Sequence, residues 1–168
     1  MAYTCAYYPT PDATLDEAQE NKFRLVFEKM NLKPGDKHLD VGCGWGSMVR
    51  YAARQGVKSL GVTLSKEQAE WAQAKIIEEG LEDLAEVRFL DYRDVTETGF
   101  DGISSIGLLE HIGVKNFASY FEFLAGKLRP GGVMVNHCIT YPDNHKTPQG
   151  DFINRYIFPD GELTGSGT

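Results

Sequence analysis

Three glycines alternate in Asp40-Val41-Gly42-Cys43-Gly44-Trp45-Gly46, between a short apolar run, Lys37–Val41, and a helical pattern, Trp45–Gln55, that Gly56 ends. A strand, a glycine turn and a helix in this order let backbone N–H groups reach a ligand at a helix N-terminus. The rest of the chain keeps the same alternation. Val57–Thr63 reads as a second strand, and Ser65 with Gln68 as a capping box opening a helix to Glu79, where Gly80 stops it. Ala85–Leu90 and Gly102–Ile106 read as strands three and four. Val114–Leu128 reads as an amphipathic helix closed by Arg129-Pro130-Gly131-Gly132, and Val133–Ile139 as strand five. Ahead of them lies an arm, residues 1–13, and a helix opened by the capping box Thr14-Leu15-Asp16-Glu17. Its mostly apolar face carries Leu15, Ala18, Lys22, Leu25, Val26 and Met30. Five strands separated by helices make an α/β fold: a mostly parallel, Rossmann-like sheet with helices on both faces.

A chain of 168 residues fits one domain, taken as 1–163 with a linker-like tail at 164–168. Seventeen basic against 24 acidic residues give a net charge of −7, which argues against a nucleic-acid binder or a polybasic membrane anchor. The sequence contains no apolar run long enough to span a bilayer and no secretory pattern at Met1–Asp12. Three scattered cysteines, Cys5, Cys43 and Cys138, make neither a metal motif nor a disulfide framework. These features point to a reduced, cytoplasmic domain that binds no metal.

The glycine spacing narrows the ligand. A dinucleotide fingerprint needs its third glycine one place later, where Ser47 stands, and an acid after strand two, where Val62-Thr63-Leu64-Ser65 offers none. A phosphate-gripping loop would end in Gly-Lys-Ser/Thr, also absent. The loop instead looks like the first motif of class I S-adenosylmethionine-dependent methyltransferases. Further stretches refine this likeness: Tyr3-Thr4-Cys5-Ala6-Tyr7-Tyr8, Leu15–Gln19, Gly61-Val62-Thr63-Leu64-Ser65 with Gln68, Asp91-Tyr92-Arg93-Asp94, Ser105–Gly113 and His137-Cys138-Ile139. In that order, from Tyr3 to Leu163, the chain resembles the cyclopropane-fatty-acid synthases and mycolic-acid cyclopropane synthases.

The resemblance implies a reaction in which the double bond of an unsaturated fatty-acyl lipid attacks the sulfonium methyl of S-adenosylmethionine. In the cyclopropanating members a bound bicarbonate then removes a proton, and the ring closes. Relatives that methylate without ring closure, others that methylate small amines, and a catalytically incomplete cofactor-binding fragment are the alternatives. It further implies that Tyr3 and Thr4 close over the cofactor. Gly42 and Gly44 would line its methionine part, Thr63 and Gln68 the ribose side, Tyr92 and Arg93 the adenine, and Ile106 with Gly107 the floor, with Asp40 and Leu64 also binding the cofactor. Cys5, Glu110, His137 and the backbone of Ile139 would hold the bicarbonate. Bland readings stand beside these: Glu110 as an acid favoured by a helix dipole, His137 as a core histidine, Cys5 as a small buried residue.

Family members continue past Leu163, into the last strands of the sheet and much of the acyl tunnel, so the chain reads as a truncated core. The expected sheet order is 3-2-1-4-5 with the final antiparallel strands missing. Strand five, lacking Lys, Glu and Pro, would then be an edge needing cover from a second copy or from Asp151–Gly161. Contact with a membrane surface is a further expectation for a lipid enzyme.

Overall fold

The structure is a computed structural model that describes residues 2–143, 156 and 161–165. Helix α1 (Leu15–Met30) starts as its capping box dictates: Thr14 accepts from the Glu17 N–H while Glu17 accepts from the Thr14 N–H. It ends at Asn31, whose left-handed backbone closes the last turn. There follow β1 (Lys37–Val41), α2 (Ser47–Arg54), β2 (Lys58–Thr63), α3 (Lys66–Glu78), β3 (Ala85–Phe89), β4 (Phe100–Ile106), α4 (Leu109–Ile112), α5 (Phe117–Lys127) and β5 (Leu128–His137).

All pairs in this five-stranded sheet are parallel, in the order β3-β2-β1-β4-β5. One face of the sheet buries Leu39, Val41, Val62 and Ile103 against Tyr120 and Leu124 of α5. The other is covered by α1 and α2, through Phe23, Val26, Met30, Met48 and Ala52, and by α3, through Ala69, Ala72 and Ile76. This is the α/β arrangement expected, with helices on both faces.

Some boundaries differ. Strand β5 begins at Leu128, which pairs with Phe100, and after a bulge Val133 pairs with Gly102. The Arg-Pro-Gly-Gly turn is therefore an irregularity inside the strand and not a stop before it. The stretch Val114–Asn116 is a 3₁₀ turn, so the helix expected from Val114 begins at Phe117. Beyond β5, the short strands β6 (Thr140–Tyr141) and β7 (Thr164–Gly165) pair in parallel with each other. Among the described residues nothing pairs with the outer edge of β5. The expected cover from Asp151–Gly161 falls almost wholly outside the described residues.

Candidate functional site

The carboxyl ends of parallel strands and the loops that leave them form the place where α/β sheets bind ligands. Here those loops enclose a cavity of about 1030 Å³, and every candidate residue named above, from Tyr3 to Ile139, lines it. Glycine supplies close approach twice. At Gly44 (φ 53°) a Cβ would stand 3.6 Å from the Tyr3 ring, so the arm lies directly over the glycine turn. At Gly107 (φ 69°), just past β4, a Cβ would come within 2.8 Å of the Thr4 methyl.

One rim is a string of polar groups. Thr63 donates to Gln68 Oε1 at 2.9 Å, and Gln68 Nε2 donates to the Tyr3 hydroxyl at 3.4 Å. Ser65 caps α3 by accepting from the Gln68 N–H, but the Gln68 side chain does not return to the cap. The capping box expected there is thus only half made, because that amide is turned to the cavity. Leu64 stands exposed at the mouth. Tyr92 packs edge-on against Tyr120 and Phe123, at 5.3 and 5.7 Å between ring centroids. The Arg93 guanidinium is fastened to Asp91 by two hydrogen bonds of 2.9 and 2.6 Å, which holds the Asp91 carboxyl below its usual range.

The opposite wall comes from α4 and the end of β5. Glu110 accepts the Ile139 N–H on Oε1 at 2.8 Å. Its Oε2 is buried and, like His137 Nδ1, has no hydrogen-bond partner among the described residues. Buried polar atoms without partners are rare, and each calls for a partner such as a water, an ion or a ligand; Asn136 Oδ1 and Arg50 Nε are in the same position. Cys5 is exposed on the arm and faces the same cavity. No group of three His, Cys, Asp or Glu side chains among the described residues could hold a metal.

Two features of the site were not foreseen. Lys22, on the face of α1 read as mostly apolar, is buried and donates to Thr4 Oγ1 and to Gln19 Oε1, each at 2.6 Å. Burial pulls its pKa down to about 8, against the pull of Cys5 and Asp40. Asp40 is buried as well, and burial lifts its pKa to about 7, although Ser104 donates to it and Lys22 lies near. Ser104 is bonded to His38 Nε2 at 2.9 Å, and His38 Nδ1 to Ser59 Oγ at 2.8 Å. Since Ser104 gives its proton to Asp40, it must accept from Nε2–H, which leaves Nδ1 to accept from Ser59. The signal for both was in the sequence: a lysine at a core position of α1, and polar side chains inside otherwise apolar strands.

A family model, mycolic acid cyclopropane synthetase, matches residues 1–168. The chain belongs to the mycolic acid cyclopropane synthetase family. Relatives of the family agree with this. The chain is 65% identical, over 99% of its length and 39% of the relative's, to a Mycobacterium tuberculosis protein named "probable fatty acid methyltransferase". It is 41% identical to the cyclopropane-fatty-acyl-phospholipid synthase of Escherichia coli K12, over 97% of this chain and 41% of that one. The crystal structure of mycolic acid cyclopropane synthase CmaA1 complexed with SAH and CTAB superimposes with a TM-score of 0.85 and 35% identity, covering 98% of this chain and 62% of that one. The fold is thus that of the S-adenosylmethionine-dependent methyltransferases. The chain spans about two fifths of the length of these curated relatives.

Proposed function

We propose that this chain is the cofactor-binding and proton-accepting core of an S-adenosylmethionine-dependent methyltransferase that modifies the double bond of an unsaturated fatty-acyl lipid. The observation that carries this reading is the pair of buried, unpartnered atoms Glu110 Oε2 and His137 Nδ1 on the wall of the glycine-loop cavity. Alkylation of a double bond leaves a carbocation on the acyl chain, and that cation must pass a proton to a base held beside it in the site.

The cavity suits the cofactor: a glycine turn approached by Tyr3, a Thr63–Gln68 string for hydroxyl groups, and the Tyr92 ring beside it. When bound there, S-adenosylmethionine supplies an electrophilic methyl on a sulfonium. The orphaned atoms of Glu110 and His137, with Cys5 nearby, suit a small anion such as bicarbonate, which would supply a weak base. Toward it, His137 Nδ1 can donate when protonated there, and so can Glu110 in its acid form. The Ile139 N–H donates to Glu110 Oε1, which supports a role for this backbone in holding the carboxylate beside the anion. Apolar Ile106, Leu108 and Ile112 also line the cavity and would exclude water from a developing positive charge.

The test is turnover with a monounsaturated phospholipid and labelled S-adenosylmethionine, read by lipid mass spectrometry. A mass gain of one methylene with bicarbonate dependence is the expected result. Labelled small amines in place of lipid products would overturn it.

A further inference from the structure

Lys22 has no task in the reading above. Its side chain is only 2% exposed, and both of its hydrogen-bond partners, Thr4 Oγ1 and Gln19 Oε1, are neutral oxygens. An ammonium is withdrawn from water at considerable cost, and neutral oxygens offset only part of it. The geometry around Thr4 shows what the arrangement achieves. An ammonium can only donate, so Thr4 Oγ1 accepts from it, and the single hydroxyl proton is turned away from Lys22. The Thr4 carbonyl is occupied by Gln19 Nε2 at 2.8 Å, and the Thr4 methyl packs over Gly107. The side left for that proton is the cavity, which Thr4 lines.

We infer that Lys22 is a positioning residue that holds the Thr4 hydroxyl as a polarised donor aimed into the cavity, and that this donor recognises a carboxylate, the anionic end of the cofactor's amino-acid part. The inference rests on the cofactor reading made above. A hydroxyl backed by a buried cation binds an anion far better than a neutral group, because the ammonium stabilises charge on the far side of the oxygen. Of the parts of the cofactor, only the α-carboxylate is anionic. Lys22 also explains why the arm sits where it does: through Thr4, it joins the segment that carries Tyr3 and Cys5 to α1.

Calorimetry with two ligands separates this role from a merely structural one. S-adenosylhomocysteine carries the carboxylate; 5′-methylthioadenosine keeps the nucleoside and thioether but lacks the amino-acid end. Lys22→Met is expected to weaken S-adenosylhomocysteine roughly tenfold or more while leaving 5′-methylthioadenosine within about twofold. Thr4→Val, which removes only the hydroxyl, should reproduce that selective loss, and the double variant should lose no more than Thr4→Val alone. Should Lys22→Met not fold, Thr4→Val carries the comparison by itself. An equal loss for both ligands, or none for either, overturns the inference while the cofactor reading stands. A wild-type protein that binds neither ligand overturns both.

Discussion

The Ile139 N–H donates to Glu110 Oε1 at 2.8 Å, joining residues 29 positions apart. Helix α4 is only four residues long and offers little rigidity of its own. The orientation of the carboxylate therefore comes from the chain just beyond β5. One oxygen is pinned by backbone, and the other is left buried without a partner.

A backbone donor can be removed without touching the carboxylate. Ile139→Pro deletes the N–H, whereas Ile139→Ala keeps it. On the proposed function, methyl transfer to an unsaturated phospholipid should fall at least tenfold in the proline variant and stay within about threefold in the alanine variant. Equal rates in the two would show that the bond does not position Glu110.

Glu110→Gln and His137→Ala should lower product formation by about 10²–10⁴-fold, the range for a positioned proton acceptor. Cofactor affinity, measured separately by calorimetry, should change little. Parallel losses in rate and affinity would mean that both residues serve the cofactor instead.

Gly44→Val should abolish cofactor binding. The position has φ 53°, which a β-branched residue adopts only with strain, and the new side chain would be driven toward the Tyr3 ring, already 3.6 Å from a bare Cβ. Binding titrations with S-adenosylhomocysteine read the effect, and retained affinity would remove the glycine turn from the site.

Acid stability should depend on His38. Burial lowers its folded pKa to about 3, so the unfolded chain takes up a proton first as the pH falls below about 6.5. That loss amounts to about 2 kcal/mol between pH 6.5 and pH 5. Asp40 runs the other way: its folded pKa is raised to about 7, so its contribution is present at low pH and is lost as the pH rises through 7. The two oppose each other between pH 5 and 6.5. Glutamine can replace both imidazole hydrogen bonds without titrating. His38→Gln should therefore gain about 2 kcal/mol relative to wild type on going from pH 7 to pH 5. Urea midpoints at the two pH values check this; identical shifts would refute it.

The parts legible in the sequence were those governed by local rules. Thr14 and Glu17 announced α1, and the glycine turn announced the βα unit on which the site is built, because capping and left-handed backbone depend on neighbouring residues alone. The strand order followed from the likeness to a known family. What escaped depends on contacts across the fold. The Gln68 side chain leaves the cap of α3 for Thr63 and Tyr3, and no local pattern reports that Tyr3 is there. Lys22 fitted the helical period so well that its charge was absorbed into an apolar face. The start of β5 at Leu128 depends on pairing with Phe100 across a bulge.

The hydrogen-bonded string Ser59–His38–Ser104–Asp40 crosses three neighbouring strands, with His38 opposite Ser59 and Asp40 opposite Ser104. Apolar strands tolerate sliding, since one β-branched residue packs much like another. This string does not. A slip of β4 by two residues along β1 would set Gly102 or Ile106 against Asp40, and the same slip of β2 would set Val57 or Gly61 against His38. Each error strands a polar group in a dry interior, at about 1–3 kcal/mol apiece. Four buried side chains thus proofread the alignment of the sheet whose strand ends carry much of the candidate site.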